Sequence, residues 1–121
     1  MKIEVSNGEL VDKFLILEIK MEKAKGVALE KKKYISQEYN MLKPLVRKLK
    51  IDKEILKNLK KTNLSLWSAE DGLRKKDKKK EFDGEFLNLA KSIYINNDAR
   101  FKIKDLINQT TGSLVKEQKI Y

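Results

Sequence analysis

The chain has 121 residues, with 28 Lys and Arg against 18 Asp and Glu and a formal net charge of +10. That length suits one domain, residues 1–121, around one modest core, and no stretch approaches the roughly 18 apolar residues that a membrane helix requires. With no His and no Cys, the usual zinc sites, Ser-His-Asp and Cys-His nucleophiles and imidazole acid–base catalysis are excluded.

Lys2-Ile3-Glu4-Val5 alternates polar and apolar residues in the manner of a short strand. Four residues do not hold alone. Residues 115–121 are also extended in character, so the two termini are expected to pair as a small two-stranded β ribbon. Ser6 and Glu9 then form a capping box, with Val5 and Leu10 placed as a hydrophobic staple. Leu10, Phe14, Leu17, Met21 and Ala24 recur at spacings of four and three, and Val11, Leu15, Ile16 and Ile19 widen the apolar sector beyond one stripe. A helix of that kind is covered on most sides by others. Gly26 is its expected end, with Lys23 and Lys25 at the negative pole of the dipole.

A second helix is expected over residues 27–50, since Ala28, Ile35, Tyr39, Leu42, Val46 and Leu49 stay in phase across Pro44. The proline predicts a kink near Asn40 to Lys43, and Lys31-Lys32-Lys33 reads as a solvated face. Asp52 caps a third helix that carries Ile55, Leu59, Leu66, Ala69 and Leu73 and runs out through the basic stretch Arg74 to Lys80. Asp83 caps a fourth, with Phe82 and Leu87 as a staple, an interruption at Asn96-Asn97-Asp98 and a stop at Gly112. The expected fold is therefore all-α, an antiparallel four-helix bundle with a β ribbon joining the termini.

Several polar residues lie where a helix should show core. Trp67, Glu70 and Arg74 share a face beside Asp71; Asn97, Arg100, Lys104 and Asn108 prolong the apolar line of Phe86 and Ile93, with Asp98 next to them; Lys13, Glu18 and Lys20 belong to the first helix. Two readings stand. One is an interhelical network that sets helix register, with Glu70–Arg74 and Asp98–Lys102 as simple pairs at spacing four. The other is a shallow polar pocket with an aromatic floor, able to hold a sugar or an anionic group.

No Gly-rich phosphate loop and no compact Asp cluster is present, so no metal or cofactor is expected and the residues weigh against an enzyme acting alone. The positive charge raises nucleic acid as a partner. The excess is nearly all Lys, with only Arg47, Arg74 and Arg100 able to offer a planar fork, which weakens that reading. Met1-Lys2-Ile3-Glu4 leads straight into patterned sequence with no apolar signal region, and the lack of Cys fits a reducing compartment, so a cytoplasmic location is expected.

Four blocks carry a resemblance: Ser6 to Lys13 with Ile16-Leu17-Glu18-Ile19-Lys20, Leu66-Trp67 with Glu70-Asp71, Asn97-Asp98-Ala99-Arg100, and Ile107-Asn108 with Thr111-Gly112-Ser113. Together they resemble a family of small bacterial proteins of unknown function, often found in or beside glycosyltransferase-like proteins of surface-polysaccharide loci. The chain departs from that pattern at Asn7, where the family has Pro, at Phe14-Leu15 in place of Ile-Thr, and at Ser68-Ala69 in place of a bulkier, more acidic pair. The resemblance implies a genomic setting and no mechanism. The biochemical function is unknown at this level. The leading expectation is a non-catalytic accessory or interaction module linked to glycan assembly, acting through a protein partner or a second copy; a basic nucleic-acid-binding protein is the alternative.

Overall fold

The computed structural model describes residues 1–120. Its four helices are α1 (Asn7–Glu22), α2 (Leu29–Lys48), α3 (Lys53–Lys78) and α4 (Gly84–Thr111). The all-α class is as the periodicity predicts. The terminal ribbon is not: among the described residues there is no strand, and Tyr121, the last residue of the predicted pairing, lies outside them. The reason is local. Residues 1–5 are exposed, whereas the C-terminal segment spends Glu117 and Lys119 on side-chain contacts to Lys104 and Asp98 of α4.

The apolar breadth of α1 has the predicted consequence. This helix packs on α2, α3 and α4, while α3 and α4 also pair with each other; the backbone of α2 closely approaches α1 alone. Val11, Phe14 and Leu15 form the core with Val46 of α2, Leu59 of α3 and Ile107 of α4, and Val11, Leu59 and Ile107 are wholly buried. Phe14 stacks on Tyr39 at a centroid distance of 4.6 Å, which ties α1 to α2.

Several local expectations change in the folded chain. α1 stops at Glu22: the Lys23 N–H makes the last bond four residues back, to Ile19, and Ala24 and Val27 then bond only three residues back, leaving Gly26 in the left-handed region (φ 80°) of the connection. α2, by contrast, runs as one helix through the exposed Pro44, as the phase of its apolar positions across the proline predicts. α4 is unbroken across Asn96-Asn97-Asp98, since the Asn96 amide donates to the Ser92 carbonyl at 2.8 Å and so bonds back onto its own helix instead of re-capping it. Phe82 and Leu87, the expected staple, are both largely exposed, and Phe82 meets Phe86 edge-on at 5.2 Å.

Helix length sets the outline. At 1.5 Å per residue, α3 and α4 run to about 40 Å and α1 to about 24 Å. The outer part of the α3–α4 hairpin therefore extends past α1 as an arm, and no residue from Glu70 to Ala99 is fully buried. The two helices of the arm approach closely at Gly72, where a Cβ would lie 3.0 Å from the Leu89 side chain. At its turn Lys76 gathers Asp83, Glu81 and Glu85, and Asp83 caps α4 by accepting the Phe86 N–H at 3.0 Å.

Candidate functional site

The N-terminus of α1 leaves backbone N–H groups without intrahelical partners. Ser6 Oγ accepts from the Glu9 N–H at 3.1 Å, and the end of α4 supplies the rest: Gly8 N–H donates to Asn108 Oδ1 at 2.6 Å and Asn7 N–H to Ser113 Oγ at 3.0 Å. Asn7 also donates its side-chain amide to Thr111 Oγ1. Gly112, left-handed at φ 65°, turns the chain so that Ser113 reaches this position. Asn108 and Ser113 are buried at 1% and 6% exposure, so these bonds form away from competing water.

One turn further along α1, the Asp12 carboxylate is buried and receives three donors. Arg100 of α4 grips it with Nε at 3.0 Å and Nη2 at 2.5 Å, and Asn63 of α3 donates at 2.9 Å. The Asp12 side chain is 4% exposed and that of Arg100 29%. This fork-on-carboxylate geometry is the one that offsets desolvation best, because each oxygen gains a directed partner. Hydrogen bonding to Asp12 raises the Arg100 pKa further, against the opposing effect of burial. Three helices meet at this one carboxylate.

A second polar junction between α1 and α3 lies further along α1. Lys60 of α3 binds Glu18 and Glu22, and hydrogen bonds first to Glu18 and then to Glu22 raise its pKa. Two hollows flank Arg100. One of 170 Å³ is walled by Trp67, Glu70 and Asn63 over Ile16, Ile19 and Leu66. The other, of 340 Å³, lies between α4 and the C-terminal segment, with Asn97, Phe101 and Lys104 facing Glu117 and Lys119. In it Lys104 is already paired with Glu117 at 3.0 Å, and Lys119 with Asp98 at 3.4 Å while its ammonium sits 5.5 Å over the Phe101 ring.

The residues singled out by sequence thus separate into groups. Trp67, Glu70 and Arg100 come together in one hollow, Asn97, Arg100 and Lys104 in the other with Asp98 at its edge, and Asn108 pins α1 to α4. Lys13 instead pairs with Glu38 of α2 at 2.9 Å. Glu18 belongs to the Lys60 junction, and Lys20 and Arg74 are exposed. The pairs at the predicted positions differ as well: Asp71 binds Lys75, and Asp98 binds Lys119. Asp12, Asn63, Gly8 and Ser113 were absent from the sequence set. Asp12 was detectable as a carboxylate inside the widest apolar sector, and Asn63 as an amide on the stripe between Leu59 and Leu66.

Chemically, the first hollow falls below the roughly 300–1,000 Å³ of ordinary ligand pockets. The second is at their lower edge, with its lysines engaged by carboxylates. Among the described residues no group of three or more acidic side chains is placed to hold a metal ion, and no helix is long and apolar enough to cross a membrane.

These features define an all-α protein in which a central helix is locked by buried polar contacts into a longer helical hairpin. The chain belongs to a family of unknown function, DUF6165, whose model matches residues 1–121. Neither a curated protein nor a solved structure matches it.

Proposed function

We propose that this chain is a non-catalytic interaction module, a single domain in which the polar residues of α1, α3 and α4 hold helix register and the outer α3–α4 arm receives a protein partner. The observation that carries the reading is apolar exposure on the arm: Leu87, Tyr94 and Ile95 are 66%, 57% and 50% exposed. At spacings of seven and eight they fall on one face of α4. Large apolar side chains left open to water on one helix face, here around Lys91, suit a contact surface. The register role of the polar set is supported by the pairing already described, in which Asp12, Arg100, Asn63 and Asn108 spend their hydrogen bonds on one another or on backbone.

The chain carries +10 overall, which opposes a second copy, whereas Glu70 to Ala99 balance seven basic against seven acidic residues, so the arm sets apolar contact above charge in choosing its partner. The intracellular machinery of surface-polysaccharide assembly is the setting we place it in, following the family resemblance. The test is capture of binding proteins from a lysate of the native host. Wild type and a control altered on the outer face of α2, Met41→Glu, should retain the same partner, and Leu87→Glu/Tyr94→Glu should lose it while keeping its helical circular dichroism. Equal capture by the arm variant would refute the proposal.

A further inference from the structure

A hollow of 350 Å³ sits at the corner where α2 passes into α3 and shares no lining residue with the hollows beside Arg100 or with the arm. Its floor is apolar, made by Phe14, Val46, Ile51 and Leu56. Phe14 and Val46 belong to the core, so the floor is a fixed wall and not a loose patch. Its rim is cationic: Lys43, Arg47, Lys50 and Lys53 line the mouth, and no acidic residue does. Lys43, Arg47, Lys50 and Lys53 form none of the ion pairs found among the described residues, and the Lys43 ammonium lies 5.7 Å from the centre of the Tyr39 ring. Asp52 and Glu54 flank Lys53 in sequence but neither lines the hollow, and Asp52 is turned to the start of α3, where it accepts the Glu54 N–H at 2.8 Å. Lys50 holds a left-handed conformation (φ 51°), a position that suits glycine, and so places a cation where glycine would leave none.

We infer that this corner binds a small organic anion with an apolar body, the body seated on Phe14, Val46, Ile51 and Leu56 and the anionic head held by Arg47, Lys50 and the flanking lysines. Charge complementarity carries the choice. Four cations without carboxylate partners around a low-dielectric floor focus a positive potential on the mouth, and an uncharged body alone would leave it unanswered. Size limits the ligand. At the roughly 30 Å³ that a water-sized group occupies, the hollow takes about a dozen non-hydrogen atoms. An aliphatic carboxylate such as octanoate, with about ten, has a suitable size, and at the efficiency of small ligands an affinity of about 1 mM is expected.

Octanoate and 1-octanol form a matched pair of probes, identical in body and different in charge. Followed by methyl and aromatic NMR at low ionic strength, octanoate should shift Val46, Ile51, Leu56 and Phe14 saturably. In Arg47→Gln/Lys50→Gln, two exposed positions whose change leaves the core intact, octanoate should bind about tenfold more weakly, whereas octanol should move the same signals equally in both proteins. Three outcomes overturn the inference: no saturable shift at the floor residues with octanoate at about 10 mM, undiminished octanoate binding by the double variant, or rim shifts produced by an oligonucleotide while octanoate stays silent. The first would mean that the lysine stems merely cover apolar surface, and the last that the corner is a polyanion face.

Discussion

At Gly8 a single carbon atom decides how α1 meets α4. A Cβ there would lie 2.4 Å from the Lys104 carbonyl oxygen and 3.0 Å from Asn108 Oδ1, and the first of these is backbone that cannot swing aside. Gly8→Ala must therefore push the helix ends apart, which strains the Gly8–Asn108 bond and the neighbouring Asn7–Ser113 bond together. We predict a loss of about 2–3 kcal/mol, within the range for overpacked sites, read as a lower urea midpoint with an unchanged slope; a variant as stable as wild type would mean that the α1–α4 approach is soft. The sequence hinted at this position only through its neighbours. Ser6 and Glu9 announced a helix start, but the need for glycine comes from α4, a hundred residues away, and no local pattern encodes that. Asp12 is the opposite case. A carboxylate between Val11 and Phe14 on a helix apolar nearly all round must find a partner, and the half-buried fork of Arg100 is that partner.

At the scale of elements, caps explain why most helix boundaries were readable. Asp52 and Asp83 accept from the first turns of α3 and α4, and Gly112 ends α4 in the left-handed conformation, each a local device with a residue type to match. The end of α3 lacks one. There Lys80 takes the left-handed position (φ 55°), with the Glu81 N–H bonding back to the Lys76 carbonyl at 2.9 Å, so a bulky residue stands where glycine normally closes a helix. Lys80→Gly should relieve this and raise stability by about 1 kcal/mol, less the added freedom of the unfolded chain, measured as an increase in Tm; a decrease would show that the Lys80 side chain holds the turn. The predicted break at Asn96-Asn97-Asp98 failed for a related reason. Asn and Asp favour caps only when their side chains are free to bond outside the helix, and Asn96 bonds inward to Ser92.

For the whole molecule, the place of α1 at the centre followed from its own apolar breadth, but the arm did not follow from any one helix. It arises because α3 and α4 are longer than the helix they enclose, a relation visible only once all four are assembled. The distribution of burial then predicts the distribution of stability. Val11, Leu59 and Ile107 lock three helices in one cluster, while from Glu70 to Ala99 the hairpin rests on half-buried contacts such as Gly72 against Leu89 and on the ionic knot around Lys76. Local opening draws on regions of low contact density, so the arm should open without unfolding the core. In native-state hydrogen exchange, amides of residues 73–92 should exchange at least about tenfold faster than those flanking Val11, Leu59 and Ile107. Their exchange should also respond weakly to denaturant, since little surface is exposed when the arm alone opens. Uniform protection along α3 and α4 would contradict this and make the hairpin one cooperative unit with the core. An arm that opens separately can adjust to a partner while Asp12, Arg100 and Asn63 keep the register of its base, which is the property an interaction module built on this hairpin requires.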